Sequence, residues 1–221
     1  MDNNPFIQVD FHCHTIFSPD SLTAPEKLIA ACRRKGIDRI VVTDHNTIEG
    51  ALRAKEIDPE IVIMGEEILT TEGELLAIFV QEEIPAGLSP QATIARLREQ
   101  GAFISVSHPF DILRKGHWSS AALQKILPNI DAVETFNARC LWPGFNWQAS
   151  KFARQYDLPG THGSDAHAPF ELGRGSLLLP PFNDADSLRE SLKRAVSPQL
   201  TLSGIGVRFF SRYAVWKKRN T

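Results

Sequence analysis

Apolar residues in this chain fall in short runs, and four of the runs close on a histidine. Val9-Asp10-Phe11 leads into His12-Cys13-His14, and Ile40-Val41-Val42-Thr43 leads into Asp44-His45. Phe103-Ile104-Ser105-Val106-Ser107 leads into His108-Pro109, and Gly163-Ser164-Asp165-Ala166-His167 closes the fourth. Continuous β-branched and apolar runs of this length predict strands buried on both faces, and the segments between them carry helical period. Thr23-Ala24-Pro25-Glu26 reads as a capping box that starts a helix near Ala24. That helix presents Leu28, Ile29 and Cys32 on one face, carries Arg33-Arg34-Lys35 in its last turn and stops at Gly36.

The same plan repeats downstream. Residues 37–43 predict a second strand, and Asn46-Thr47-Ile48-Glu49 opens a helix. Residues 61–68 and 74–80 flank a turn and predict a hairpin. Ser89-Pro90 marks an N-cap with proline in the first turn, and Gly101 ends that helix. Helices over 119–127, 146–156 and 186–195 alternate with strands over 131–137 and 177–179, the last stopped by Pro180-Pro181. Such alternation predicts a mainly parallel sheet covered by helices, and 221 residues suit one α/β barrel with a single core.

Composition narrows the setting without changing that picture. Hydrophobic residues at 43%, charged residues at 23% and a formal charge of −2 describe an ordinary globular chain with no bulk attraction to nucleic acid, so a nucleic-acid substrate needs a local basic groove. Cys13, Cys32 and Cys140 form no C-x-x-C pair, which argues against a disulfide framework or a thiolate zinc site. Met1-Asp2-Asn3-Asn4-Pro5 lacks the features of a secretory leader and no run is long enough to span a membrane, so the expected location is the cytoplasm.

The chemistry comes from where the polar residues fall. In an α/β barrel the C-terminal ends of the strands face one mouth. His12, His14, His45, Glu67, His108, Asp165 and His167 all lie at or just after an apolar strand, and Asp20 lies in the first loop. His12 and His14 are two apart on a strand, so both imidazoles point the same way. Imidazole with carboxylate and no thiolate suits zinc, manganese or iron, and eight donors exceed the four of one tetrahedral zinc. More than one ion is expected, with Glu67 able to bridge two ions about 3.5–4 Å apart. Asp10 and Asp44 are expected to orient imidazoles from behind, Glu66 to face outward and Cys13 to be a small core residue. His117 and His162 match no motif and read as structural or surface residues.

His12-Cys13-His14-Thr15, Thr43-Asp44-His45, Gly65-Glu66-Glu67, His108-Pro109 and Ser164-Asp165-Ala166-His167 together resemble the motif set of the polymerase and histidinol phosphatase (PHP) family. The likeness runs in order over about residues 7 to 175 and implies a distorted (β/α)7 TIM-like barrel with a two- or three-metal centre that hydrolyses phosphoesters. It implies that His12, His14, Glu67 and Asp165 hold one metal, that Glu67 bridges to a second bound by His108, and that Asp20, His45 and His167 hold a third. Two positions depart from the pattern: Asp20 stands where some relatives have histidine, and Glu134 or Asn137 stands where some supply a further histidine.

From these residues the expected activity is a metal-dependent phosphoesterase acting on a small phosphomonoester through a metal-activated water. His45 or His167 is the expected proton donor to the leaving oxygen, and Arg114 and Arg139 are expected on the phosphate. One alternative is a 3′ or 5′ exonuclease on short oligonucleotides, and another is a catalytically silent metal-binding scaffold. The domain expected over residues 1–204 is the barrel, and residues 205–221 form a basic, aromatic segment expected to pack on it as a helix.

Overall fold

The computed structural model describes residues 6–220. Met1 to Pro5, on which the expectation of no secretory leader falls, lie outside the described residues. Among the described residues, eight strands form one sheet in the order β7-β6-β5-β4-β3-β2-β1-β8. They are β1 (Ile7–Cys13), β2 (Arg39–Val42), β3 (Val62–Leu69), β4 (Glu74–Ile78), β5 (Phe103–Val106), β6 (Ala132–Asn137), β7 (Gly160–Gly163) and β8 (Leu177–Leu179). The helices are α1 (Pro25–Lys35), α2 (Glu49–Ile57), α3 (Pro90–Glu99), α4 (Ser120–Ile126), α5 (Pro143–Gln155), α6 (Ala185–Leu192) and α7 (Val207–Arg219). None of them is long and apolar enough to cross a membrane.

β1, β2 and β3 run parallel, as do β5, β6 and β7. β4 is antiparallel to both of its neighbours, because the β3–β4 connection is the hairpin that the sequence predicts. The sheet nearly closes at the mouth, where Asp165 N–H donates to His12 O at 2.7 Å and His14 N–H donates to Ala166 O at 2.9 Å. At the base, β8 pairs antiparallel with β1 instead, which distorts the barrel. Val9, Phe11, Val41, Ile63, Ile78 and Phe103 pack there with Phe182 and with Leu188 of α6, so the lower interior is a solid apolar plug. Burial of that set holds the strand ends in place above it. A register shift between Asp10 and Cys13 changes the parity of β1, so that His12 and His14 line the interior above Phe11.

Local signals worked where the side chain had no better partner. Ser89 and Ser119 accept from the N–H groups of Ala92 and Ala122, and Gly36 takes the left-handed conformation (φ 68°) that ends α1. Thr23 does not cap α1; its hydroxyl donates to His167 O at 3.0 Å and ties the first loop to the last motif. Asn46 does not cap α2 either. It takes φ 53° and its Oδ1 accepts from Leu69 N–H. α5 begins at Pro143, three residues before the start read from the sequence, because proline suits the first turn of a helix.

Candidate metal centre

Five histidines and three carboxylates meet above the plug. His12, His14, Glu67, His108 and Asp165 are all buried, while His45 and Asp20 lie at the mouth with side chains 21% and 26% exposed. Ligand atoms of His12, His14 and Glu67 lie within 4.8 Å of one another, as do those of His14, His45 and His167. The backbone is bent to achieve this: Asp165 sits at φ 51° and His108 at φ 21°, conformations that side-chain-bearing residues take at a cost of about 1–3 kcal/mol each.

The tautomers follow from the groups behind the rings. Glu134 Oε1 lies 2.9 Å from His12 Nδ1, and a carboxylate only accepts, so Nδ1 carries the proton and Nε2 faces the centre. Ser18 donates to Asp44 Oδ1 at 2.5 Å, so its oxygen accepts from His14 Nδ1–H at 3.0 Å. The two Nε2 atoms then face each other at 3.0 Å. Two imidazole lone pairs at that distance repel unless a proton or a cation lies between them.

Glu67 is the hub. Its Oε2 lies 3.3 Å from His12 Nε2, 3.4 Å from His14 Nε2 and 3.0 Å from His45 Nδ1, while Oε1 accepts from Ser107 Oγ and lies 3.1 Å from His108 Nε2. Asp165 Oδ1 lies 3.3 Å from His14 Nε2. At the mouth, Asp20 Oδ2 is 2.9 Å from His167 Nε2 and Oδ1 is 3.7 Å from His45 Nε2. Asp20 Oδ1, Glu67 Oε2, His108 Nδ1, Asp165 Oδ1 and His167 Nε2 are buried without hydrogen-bond partners. Native structures rarely strand so many polar atoms together, and this donor set suits divalent cations.

Charge in the cluster follows the same geometry. Burial would raise Glu67 and Asp165, but His12 and His45 hold Glu67, and Arg114 and His12 hold Asp165, well below the usual carboxylate range. Burial would discharge His12, but Glu67, Glu134 and Asp165 outweigh it and hold the ring well above the ordinary imidazole value. His14 is pushed well down by burial and by His167 and His45, so it stays neutral, as a ligand must be. Burial lowers His45 too, yet Glu67 and Asp20 bring it up to about 10.

Several neighbouring residues do other work than the sequence suggested. Asp10 orients no imidazole; its carboxylate accepts from Ser164 N–H and Gly173 N–H at 2.9 Å each and pins the β7 end to β1. Asp44 acts on His14 only through Ser18, and Gly50 keeps room for it, since a Cβ there would clash with Asp44 Oδ2. Glu66 takes the strand face opposite Glu67 but is fully buried, not exposed, because the segment around Ile84 covers it and donates Ile84 N–H to Oε2 at 3.0 Å. Glu134 is spent on His12 Nδ1, His108 N–H and Asn137 Nδ2, and Asn137 Nδ2 also donates to Asp165 Oδ2. Both therefore brace the centre from behind.

Two participants escaped the sequence reading. Ser18 sits in a turn-rich loop and showed no signal. Glu74 opens β4, and its Oε2 lies 3.5 Å from His108 Nε2, with one ligand atom of Glu74 within 4.8 Å of those of His45 and Glu67. Only the antiparallel pairing of β4 with β3 brings it to the mouth.

Arg114 and Arg139 both reach the mouth. Arg114 Nη1 lies 2.6 Å from Asp165 Oδ2 and Nε 3.2 Å from Asp111 Oδ2; Arg139 Nη1 lies 2.6 Å from His167 Nδ1 and Nε 3.1 Å from Glu171 Oε2. His117 is exposed and bonds to Arg114 O, whereas His162 is buried against Ser176 O and held down at about 4 by that burial. A cleft of about 460 Å³ opens over the centre, lined by Asp20, Arg114 and Arg139 and by residues of α7.

Known proteins share this arrangement of chain. Residues 10–70 match the PHP domain model, and residues 143–197 match a PHP-associated model. Uncharacterized protein MJ1587 of Methanocaldococcus jannaschii is 37% identical over 146 residues, 60% of this chain and 82% of its own. Uncharacterized protein MJ0417 of the same organism is 34% identical over 180 residues, 80% of this chain and 72% of its own. A crystal structure from Bacteroides vulgatus, of a two-domain protein containing a predicted PHP-like metal-dependent phosphoesterase, superposes with a TM-score of 0.73 at 19% identity, over 90% of this chain and 67% of that one. Its fold is the fold described above. The barrel, the ordered motifs at its mouth and these matches place the chain in the PHP family.

Proposed function

We propose that this protein is a metal-dependent phosphoesterase that hydrolyses a phosphomonoester at the barrel mouth. The observation that carries the reading is the convergence of His12 Nε2, His14 Nε2 and His45 Nδ1 on Glu67 Oε2, with Glu67 Oε2 and the neighbouring Asp165 Oδ1 buried and without hydrogen-bond partners. His12, His14, Glu67 and Asp165 would hold one divalent ion, His108 and Glu67 a second, and Asp20, His45 and His167 a third. Zinc, manganese or iron fits the donors. When bound, such ions acidify water and neutralise charge on phosphoryl oxygens.

The chain's own residues supply the rest. Glu134 and Ser18 fix the rings of His12 and His14, so their Nε2 lone pairs are aimed before anything binds. Where no ion engages it, His45, the more exposed of the two mouth histidines, would give a proton to the leaving oxygen, with His167 the other candidate. Arg114 and Arg139 line the cleft with guanidinium groups suited to non-bridging phosphate oxygens. The fixed positions of these groups reduce the reorganisation that the reaction demands.

The test pairs elemental analysis of protein purified without chelator with hydrolysis of an aryl phosphate before and after chelation. Two or more metals per chain and chelator-sensitive turnover, lost in His12→Ala, are expected. Less than one metal per chain, with no activity on adding zinc, manganese or iron(II), would leave only a non-enzymatic role.

A further inference from the structure

The cleft over the centre has a second basic wall. Arg208 and Arg212 line it from α7, four residues and thus one helical turn apart, so both project from one face. Arg114 and Arg139 are engaged by Asp165, Asp111 and Glu171, but among the described residues no carboxylate pairs with Arg208 or Arg212. Packing does not account for their placement. α7 is anchored by Val207 and Ala214, which are buried, by Lys218 on the carbonyls of Ile16 and Ser18, and by Arg139 on Val207 O and Ser211 Oγ. Phe209 lies between the two arginines in sequence, lines the same cleft and is 68% exposed.

Two unpaired guanidinium groups side by side repel each other and gain most from one doubly charged anion, which each grips through paired N–H donors. The phosphate destined for the centre meets Arg114 and Arg139, so this pair serves a different group. We infer that Arg208 and Arg212 form a subsite for a second phosphate, and that the substrate carries one phosphate to the centre and another to α7. Phe209 offers an apolar plate to whatever joins the two. This inference rests on the phosphoesterase reading above. Its chemistry has two sources: a small molecule bearing two phosphates, or the phosphorylated end of a single-stranded oligonucleotide, whose next base would stack on Phe209.

Matched probes separate them. Fructose 6-phosphate against fructose 1,6-bisphosphate adds a phosphate alone, and thymidine 5′-monophosphate against the 5′-phosphorylated thymidine dinucleotide adds a phosphate with a base. Calorimetric binding and hydrolysis, read as release of phosphate or, from the dinucleotide, of mononucleotide, are measured on the full chain, on Arg208→Ala, Arg212→Ala and the double variant, and on Arg96→Ala, an exposed arginine away from this cleft, as the charge control. In at least one pair the two-phosphate member is expected to bind at least about tenfold tighter, and that ratio to fall about tenfold with each α7 arginine removed but not with Arg96. A gain in the sugar pair identifies the small molecule, and a gain in the nucleotide pair alone identifies the oligonucleotide. Equal binding within both pairs, or a ratio that survives the double variant, overturns the subsite. Preferential binding without release of either phosphate or nucleotide sinks the phosphoesterase reading and leaves the subsite standing, whereas release without preference does the reverse.

Discussion

Ser18 shows how much rests on a residue that holds no phosphate or metal itself. One hydroxyl donates to Asp44, accepts from His14 Nδ1–H and accepts from His45 N–H at 3.1 Å, so it sets a tautomer and a backbone position together. Removing such a partner typically weakens a metal site by about 10–100-fold. Ser18→Ala is therefore expected to lower metal affinity by that factor, read by competition with a chromogenic chelator, with little change in melting temperature. Unchanged affinity would mean that the ring is held by packing alone. Nothing in Thr15-Ile16-Phe17-Ser18-Pro19 could have announced this, because the loop's composition fits any turn. His12, His14, His45, Glu67, His108, Asp165 and His167, by contrast, were legible as a set because each lies at or just after an apolar strand, where a polar side chain needs a reason.

β3 carries two adjacent glutamates with opposite fates. Glu67 is held ionised by the histidines around it, whereas burial pushes Glu66 up to about 8. The folded value for Glu66 thus lies above the ordinary 4.5, so the folded chain binds this proton more tightly than the unfolded one. Its contribution to stability is complete below about pH 4.5 and is lost as pH rises toward 8, with a slope of at most about 1.4 kcal/mol per pH unit. Glu66→Gln removes that slope. The variant should gain melting temperature relative to the parent between about pH 5 and pH 8, and parallel curves would show that Glu66 ionises freely. Strand alternation correctly gave the two glutamates opposite faces; it could not give the cover over Glu66, which comes from the loop around Ile84 folding back onto β3. The β4 strand makes the same point from the other side, since Glu74 reaches the mouth through its antiparallel register with β3.

The whole molecule is a strand framework closed around unsatisfied donors. Like charges and orphaned lone pairs at its centre are a cost that a bound cation relieves, so metal should stabilise the fold as well as the site. At a free concentration about a hundredfold above its dissociation constant, one ion adds about 2.7 kcal/mol. For a chain of this size that corresponds to a rise of about 5–10 °C in melting temperature. Calorimetry with zinc, manganese or iron(II), followed by chelator, should show the rise and its reversal. A midpoint indifferent to all three would contradict a metal centre built from these residues.

By itself the sequence determined the alternation of strands and helices, the β3–β4 hairpin, the cap at Ser89 and the motifs at the strand ends. Those are properties of neighbouring residues and of the period at which apolar side chains recur, and such properties survive without a fold. Only the tertiary structure decided that Thr23 bonds His167 O instead of capping α1, that Asp10 ties β7 to β1, that Glu134 and Asn137 brace the centre and that Glu74 joins its rim. It also put Arg208 and Arg212 on the cleft wall. Each of those contacts joins residues distant along the chain, and their partners are fixed by barrel closure and helix docking, which no local pattern encodes.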